Sequence, residues 1–177
     1  MEFEQAKVLG GVGGILCLLS MVSGVIGIVG IILLMIAFKS MADYYGRESI
    51  FKNALLALIL EIVAVGVLLA FVGVTSLALL RAPPRGFHPR AFHVSLPLIS
   101  IIAGAALIFV FSVVSAVFFR RALDELGEVS GEGLFKTAGL LYLVGAVLTI
   151  VFVGMIVIWI AFLLIGIAFF TMKPRAT

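Results

Sequence analysis

Glu61 is the residue best placed to carry chemistry, because it is the only formally charged residue well inside an apolar stretch. It follows Lys52 by nine residues, or about 13 Å of helix, near the middle of a hydrocarbon core about 30 Å thick. An ionised acid at that depth is costly, so intramembrane acids are typical of proton and cation sites. The position predicts a protonated carboxyl, a hydrogen bond to serine or threonine on another helix, or an aqueous cavity. A neutral packing role and a contact with another subunit are the alternatives.

Other reactive side chains form no recognisable catalytic or metal-binding pattern. Cys17 is the only cysteine and lies in an apolar stretch, so the chain cannot build a disulfide or a cysteine cluster by itself. His88 and His93 flank Pro89 in a basic loop with no acid nearby, which is not the spacing of helical metal ligands. We expect no catalytic residues, no metal site and no cofactor, and therefore no enzyme activity.

The composition indicates where these residues lie. Apolar residues make up 64% of the 177 and charged residues only 12%, far from the values of soluble domains. Nearly uncharged stretches cover 8–38, 53–80, 91–119 and 137–172. The net charge of +3 comes from basic residues that flank these stretches, so it indicates membrane orientation and no nucleic-acid partner. The expected partner is the lipid bilayer, with other membrane subunits or a second copy of the chain as further candidates.

The first and last apolar stretches are too long for one upright crossing, so each of them either tilts or folds back. Two hairpins would place nine basic residues on one side against three on the other, whereas single crossings would give six against six. Basic residues concentrate in cytoplasmic loops, so this bias favours six spans with both termini in the cytoplasm of a plasma membrane protein. Four long, bent spans and a re-entrant first hairpin are the alternatives. The predicted spans are 4–21, 24–43, 51–79, 94–120, 134–153 and 155–172.

Two connecting segments repeat each other. Residues 38–54 align with 119–138 after a three-residue insertion, and an even number of crossings separates them, which predicts a parallel repeat. Each copy has an i,i+4 ion pair, a glycine to end a helix, a serine to cap the next helix and a lysine in its first turn. These residues are Lys39, Asp43, Gly46, Ser49 and Lys52 in one copy and Arg120, Asp124, Gly127, Ser130 and Lys136 in the other.

Small residues in the first two spans predict close helix packing. Gly10 and Gly14 form a GxxxG pair, and Gly24, Gly27 and Gly30 recur along one side of the second helix. Such spacing lets helix backbones approach closely in a membrane. We expect these glycines to form the seam of the N-terminal hairpin.

Several segments together resemble an archaeal membrane family called domain of unknown function 996. They read LGGVG at 9–13, SMADYY at 40–45, SIFKNAL at 49–55, FKTAGLLYLVGA at 135–146, LTI at 148–150 and IAFF at 167–170. The family often has proline in the first-stretch break, where this chain has Ser23 and Gly24. The resemblance implies an archaeal plasma membrane protein and brings no established activity or catalytic residues.

The sequence thus predicts one all-α membrane domain over 1–177. Repeat units cover about 24–80 and 94–153, and helices 4–21 and 155–172 are additions to them. The favoured function is a non-enzymatic structural or accessory subunit of a larger membrane assembly, because the loops are short and redox ligands are missing. The alternative is a small channel or transporter that uses Glu61 as its proton or cation site.

Overall fold

The protein is all-α, as predicted. The computed structural model describes residues 3–21, 23–81 and 95–174, with side chains except at 21, 78–81 and 95–100. The predicted loop with His88 and His93 lies outside these residues. The described chain contains no strand, and its helices are α1 (Phe3–Leu18), α2 (Gly24–Tyr45), α3 (Glu48–Arg81), α4 (Ser95–Ser130), α5 (Gly133–Leu148) and α6 (Val153–Thr171), with 3₁₀ turns at Leu19–Met21 and Thr149–Val151.

Both terminal apolar stretches fold back, which confirms six helices and excludes four long spans. The first break lies at Ser23, where the backbone is extended. The last break lies at Phe152, whose φ is 60°, and not at Gly154 as the glycine suggested. Gly154 is inside α6, where a Cβ atom would overlap the backbone of Gly145 and Leu148. This glycine therefore serves the close packing of α6 on α5.

The six helices form a closed ring in which each helix packs antiparallel to the next along the chain, and α1 closes the ring against α6. We call the end with the α2–α3 and α4–α5 turns the turn end, and the end with the α1–α2 and α5–α6 reversals the tip end. Helices α2 and α3 pack against each other least among ring neighbours. Five helices, α2 to α6, are long and apolar enough to cross a membrane, so the fold is that of a membrane protein.

The two turns differ, and they correct three predictions, two in the second turn and one in the first. Gly46 ends α2 with a φ of 66°. Gly127, however, does not end a helix, because α4 continues to Ser130 and Gly131 takes the positive φ of 72°. Ser130 is therefore the last residue of α4, and Glu132 caps α5 by accepting a hydrogen bond from the Leu134 amide at 3.3 Å.

The third correction concerns the start of α3. This helix begins at Glu48, so Ser49 lies in its first turn and caps nothing. Instead, the Ser49 hydroxyl donates to the carboxylate of Glu125 on α4. A serine in the first turn of a helix can bond a side chain of a neighbouring helix as readily as its own backbone.

The tightest packing lies towards the turn end. The largest side chains with almost no exposed surface come from the helix halves near that end or, for Met172, from the residue after α6: Phe38, Met41, Ile50, Leu123, Leu126, Phe135, Ile165, Phe169 and Met172. Towards the tip end, α3 and α4 present mostly exposed apolar side chains. The ring is therefore closed at one end by a dense core.

Candidate functional site

Glu61 lies half-buried on the face of α3 that meets α4. Its carboxyl group has the hydroxyls of Ser115 and Ser112 on α4 as hydrogen-bonding partners. The spacing of three residues puts both serines on the same face of α4. Of the three arrangements the sequence favoured for Glu61, the structure thus contains the hydrogen bond to serine on another helix.

Ser115 constrains what Glu61 can be. This serine is 2% exposed, and its hydroxyl donates to the carbonyl oxygen of Ala57 at 2.8 Å. A hydroxyl has one proton and two acceptor lone pairs, so Ser115 has only lone pairs left for Glu61. A protonated carboxyl can donate to them, whereas a carboxylate cannot. Ser115 can therefore serve as an acceptor when Glu61 is protonated.

A central cavity of about 90 Å³ opens beside Glu61. Its volume corresponds to about three water molecules at the density of the liquid. Helices α2 to α6 all contribute to its wall, which is apolar except for the side chains of Glu61, Ser115 and Tyr142. The remaining lining residues are Ile31, Leu34, Met35, Phe38, Ala54, Ala57, Leu58, Phe119 and Phe162. An aqueous cavity was another of the alternatives that the sequence left open for Glu61.

Aromatic rings separate the cavity from the turn end. We call Phe38, Phe119, Phe135 and Phe169 the aromatic plug. The ring centroid of Phe38 lies 5.9 Å from the centroids of Phe119 and Phe169, and the centroid of Phe135 lies 5.0 Å from that of Phe169. These edge-on distances are those of stable aromatic pairs. The plug thus lies between the cavity and the turn end.

Tyr142 connects the plug to the cavity. Its ring lies 4.7 Å from Phe119 and 5.6 Å from Phe162, measured between centroids. No signal in the sequence pairs it with Glu61, because the two residues are 81 positions apart and meet only when the ring of helices closes.

The repeat residues form surface ion pairs at the turn end. Lys39 bonds Asp43 at 2.7 Å, and Arg120 lies 3.4 Å from Asp124, both with i,i+4 spacing. The two lysines each find another acid: Lys52 lies 2.6 Å from Glu48, and Lys136 lies 3.6 Å from Glu128. Over the described parts of the chain, none of these ion pairs includes Glu61.

Two acids at the turn end have roles that the sequence reasoning missed. Glu125 accepts hydrogen bonds from the hydroxyl of Ser49 and from the Asn53 amide, the latter at 3.2 Å, and so ties α3 to α4. Glu132 accepts from Thr171 at 3.0 Å and ties the end of α6 to the α4–α5 turn. Their partners lie on other helices, so spacing along one helix could not reveal them.

The predicted packing glycines divide between two interfaces. A Cβ atom on Gly14 would lie 2.7 Å from the Gly166 backbone nitrogen, and one on Gly10 would overlap the Phe169 ring, so this pair faces α6 and not α2. Gly27 and Gly30 form the seam of the hairpin, against Ser20 of the 3₁₀ turn and Cys17 of α1. A Cβ atom on Gly24 would have nothing within 4 Å, so the assignment of Gly24 to the seam was wrong.

The structure offers no metal centre in residues 3–21, 23–81 and 95–174, where no three histidine, cysteine or acidic side chains come together. Cys17 is buried in the α1–α2 seam against Gly30.

Comparison with known proteins identifies relatives of the chain but no activity. The family model described as "Protein of unknown function (DUF996)" matches residues 26–163. An uncharacterized protein of Methanocaldococcus jannaschii is 31% identical over 157 residues, which cover 88% of this chain and 85% of the relative. No solved structure matches the chain.

Proposed function

Since the chain belongs to the DUF996 family, whose description gives no function, we propose from the cavity alone that this protein is a small membrane transporter or channel. Glu61 is its proton or monovalent cation site. The observation that carries the proposal is the placement of Glu61 in a cavity between five helices, beside two serine hydroxyls. Intramembrane acids that face a cavity are typical of proton and ion pathways. The proposal therefore assigns Glu61 the binding step.

The surroundings of Glu61 suit reversible proton binding. Ser115 accepts from the protonated acid, and space for about three water molecules can hydrate the ionised acid. A residue with a stable environment in both states can load and release a proton without a permanent basic partner. The aromatic plug blocks the route to the turn end in this conformation, so release on that side requires the plug rings to move.

Proteoliposomes test the proposal directly. Wild-type protein is reconstituted into vesicles that contain a dye for pH, sodium or potassium, and the gradient of the matching ion is applied to each. We expect a flux above that of protein-free vesicles, lost in Glu61→Gln and retained in Glu128→Gln, which removes an exposed acid of the turn end. Wild-type flux equal to that of empty vesicles for all three ions would reject the proposal, as would full flux in Glu61→Gln.

We propose further that the turn end faces the cytoplasm of a plasma membrane. In support, eight described basic residues belong to this end of the bundle, and basic residues concentrate on the cytoplasmic side. They are Lys7, Lys39, Arg47, Lys52, Arg120, Arg121, Lys136 and Lys173. A single cysteine in place of Arg47, in a Cys17→Ala background, tests this. An impermeant maleimide should label it only after lysis of the cells; labelling of intact cells would reverse the orientation.

A parallel duplication is our proposal for the origin of the α2–α3 and α4–α5 units. Its support is that the aligned residues Phe38 and Phe119 both contribute to the aromatic plug, and that both aligned ion pairs form. Sequences of relatives test it: if the two turn segments vary independently in residue type across the family, the proposal fails.

A non-enzymatic accessory subunit is the second candidate function. It is favoured by the exposure of α3 and α4, because only 11% of the residues in the most apolar 18-residue segment of each helix are buried within the chain. Such faces can pack against another membrane subunit. Purification in mild detergent distinguishes the candidates, because a chain that repeatedly elutes as a monomer without another protein gives this role no support.

A further inference from the structure

The α3–α4 pair reaches far beyond the other four helices at the tip end. From their shared turn, α2 runs for 22 residues and α3 for 34, so α3 continues for twelve residues, or about 18 Å, past the start of α2. Likewise α4 has 36 residues and its neighbour α5 only 16. The extension stays paired, because a Cβ atom on Gly104 would lie 3.0 Å from the ring of Phe71.

This extension is apolar and uncovered. Apart from Glu61, no charged residue occurs between 53 and 80, and none occurs between 95 and 119. Its exposed side chains include Val72, Val74, Leu77, Ile101 and Ile102, each at least half exposed. An apolar patch of this extent is not stable in water. The hydrocarbon of the membrane must therefore reach past the tips of the other hairpins, towards Arg81.

The anchoring residues agree with this depth. On helix α3, Lys52 and Arg81 are 29 residues apart, or about 44 Å, which more than crosses a core of about 30 Å and requires tilt. Lys7 and Ser20 are 13 residues apart on the α1 side, which gives only about 20 Å. The α1–α2 tip therefore ends short of the depth that α3 reaches.

The tips themselves carry apolar side chains where a water-facing loop would carry polar ones. At the α5–α6 tip, Phe152 is 83% exposed, and Ile150 and Val151 are also exposed. At the α1–α2 tip, Val25 is 70% exposed. No charged residue occurs between 8 and 38 or between 137 and 172, whereas loops at the membrane surface usually carry basic or aromatic anchors that reach water.

Each tip contains backbone hydrogen bonds of its own, which a reversal inside hydrocarbon needs. The amide of Phe152 donates to the Thr149 carbonyl at 3.1 Å, and the amide of Met155 donates to the Phe152 carbonyl at 3.3 Å. In the first tip, the Ile26 amide donates to the Ser23 carbonyl at 3.1 Å. These bonds do not depend on water.

We propose that the α1–α2 and α5–α6 tips end inside the hydrocarbon and that, of the six helices, only α3 and α4 cross the whole membrane. The recess above the tips, beside the α3–α4 extension, binds the acyl chains of the surrounding leaflet. The protein thus holds lipid chains directly above its ring of helices. This placement does not depend on the function proposed for Glu61.

Depth-dependent quenching tests the proposal. In a Cys17→Ala background, single cysteines replace Ile150 or Val25 at the tips and, as the control, Arg47 at the turn end. Each is labelled with bimane and reconstituted into phosphatidylcholine vesicles that contain nitroxide lipids labelled in the headgroup or mid-chain. We expect the tip probes to be quenched at least about twofold more by mid-chain nitroxide, and the Arg47 probe to be quenched more by headgroup nitroxide.

Two outcomes would overturn the proposal. Tip probes that are quenched best by headgroup nitroxide or by aqueous iodide would place the tips at the membrane surface. Tip probes that no quencher reaches would show that a second copy or another protein covers the recess in place of lipid. If a tip cysteine prevents folding, a cysteine at the exposed Val153 replaces it.

Discussion

The hydroxyl of Ser115 donates to the carbonyl oxygen of Ala57, 2.8 Å away across the α3–α4 interface. Ala57 lies one helical turn before Glu61, so the same serine contacts two successive turns of α3. Because its only proton is committed to Ala57, Ser115 faces Glu61 as an acceptor. The bond therefore links the packing of two helices to the protonation state of the acid between them.

Infrared spectroscopy should detect a protonated Glu61 in the wild-type protein. We expect a carboxylic acid C=O band at neutral pH that is lost in Glu61→Gln. In Ser115→Ala the band should move to higher frequency, because the acid loses a hydrogen-bond partner, and unfolding should require about 1 kcal/mol less. Glu128→Gln is the control and should leave the band unchanged. A wild-type spectrum without a band that depends on Glu61 would show that this acid is ionised.

Gly14→Ala should weaken the contact between α1 and α6. The new Cβ atom would lie 2.7 Å from the backbone nitrogen of Gly166, so the two helices must separate. We expect a loss of about 1 to 3 kcal/mol, as for overpacked cores, measured by denaturant unfolding in detergent. Gly66→Ala is the matched control, because nothing lies within 4 Å of that position and alanine favours a helix over glycine by about 1 kcal/mol. Equal effects of the two variants would contradict the observed seam.

Glu125→Ala should destabilise the protein more than Glu128→Ala, although the two acids are three residues apart. Glu125 accepts from Ser49 and Asn53 at a half-buried position, and removal of such a carboxylate leaves both donors unpaired, which costs about 1 to 3 kcal/mol. Glu128 forms only an exposed ion pair with Lys136, worth less than about 1 kcal/mol. Unfolding midpoints of the two variants measure the difference, and a larger effect at Glu128 would reject it.

Gly131→Ala should destabilise the α4–α5 turn, because Gly131 has a φ of 72° and this conformation is about 1 kcal/mol less favourable for alanine. Gly133→Ala is the control: Gly133 starts α5 with nothing within 4 Å, so we expect no loss there. The free energies of unfolding of the two variants, compared with that of the wild type, test this prediction. If Gly131→Ala is neutral, the left-handed residue does not fix this turn.

The number of helices was predictable from the sequence because it follows from two strong physical terms. Apolar length sets how often the chain can cross, and the distribution of lysine and arginine favours hairpins at both ends. Helix boundaries depend on weaker local effects. Gly127 looked like a helix end because Gly46 occupies the aligned position, but α4 extends to Ser130 and Gly131 takes the left-handed conformation that ends it.

The candidate site was only half predictable. Glu61 is visible in the sequence because a lone acid in an apolar stretch is costly, and the need for a serine partner follows from the same cost. Which serines supply it, and that Tyr142 borders the same cavity, depends on how α3, α4 and α5 assemble. The glycines show the same limit: their spacing indicates close packing, but Gly14 could face either neighbour of α1 until the ring closes.

Phe119→Ala should open the route between the central cavity and the turn end. Phe119 lines the cavity and lies between Phe38 and Tyr142, so its loss removes one ring of the aromatic plug and enlarges the cavity. If the plug limits proton flux by about 1.4 kcal/mol, the flux in proteoliposomes rises about tenfold. The gain should vanish when Glu61→Gln is added, since both changes lie on one route.

Phe118→Ala is the control, because that ring packs near Arg121 and is not part of the plug. Folding of Phe119→Ala is checked by circular dichroism, because truncation of a buried phenylalanine lowers the free energy of unfolding by about 3 kcal/mol or more. A folded Phe119→Ala protein with wild-type flux would show that the plug is not the barrier.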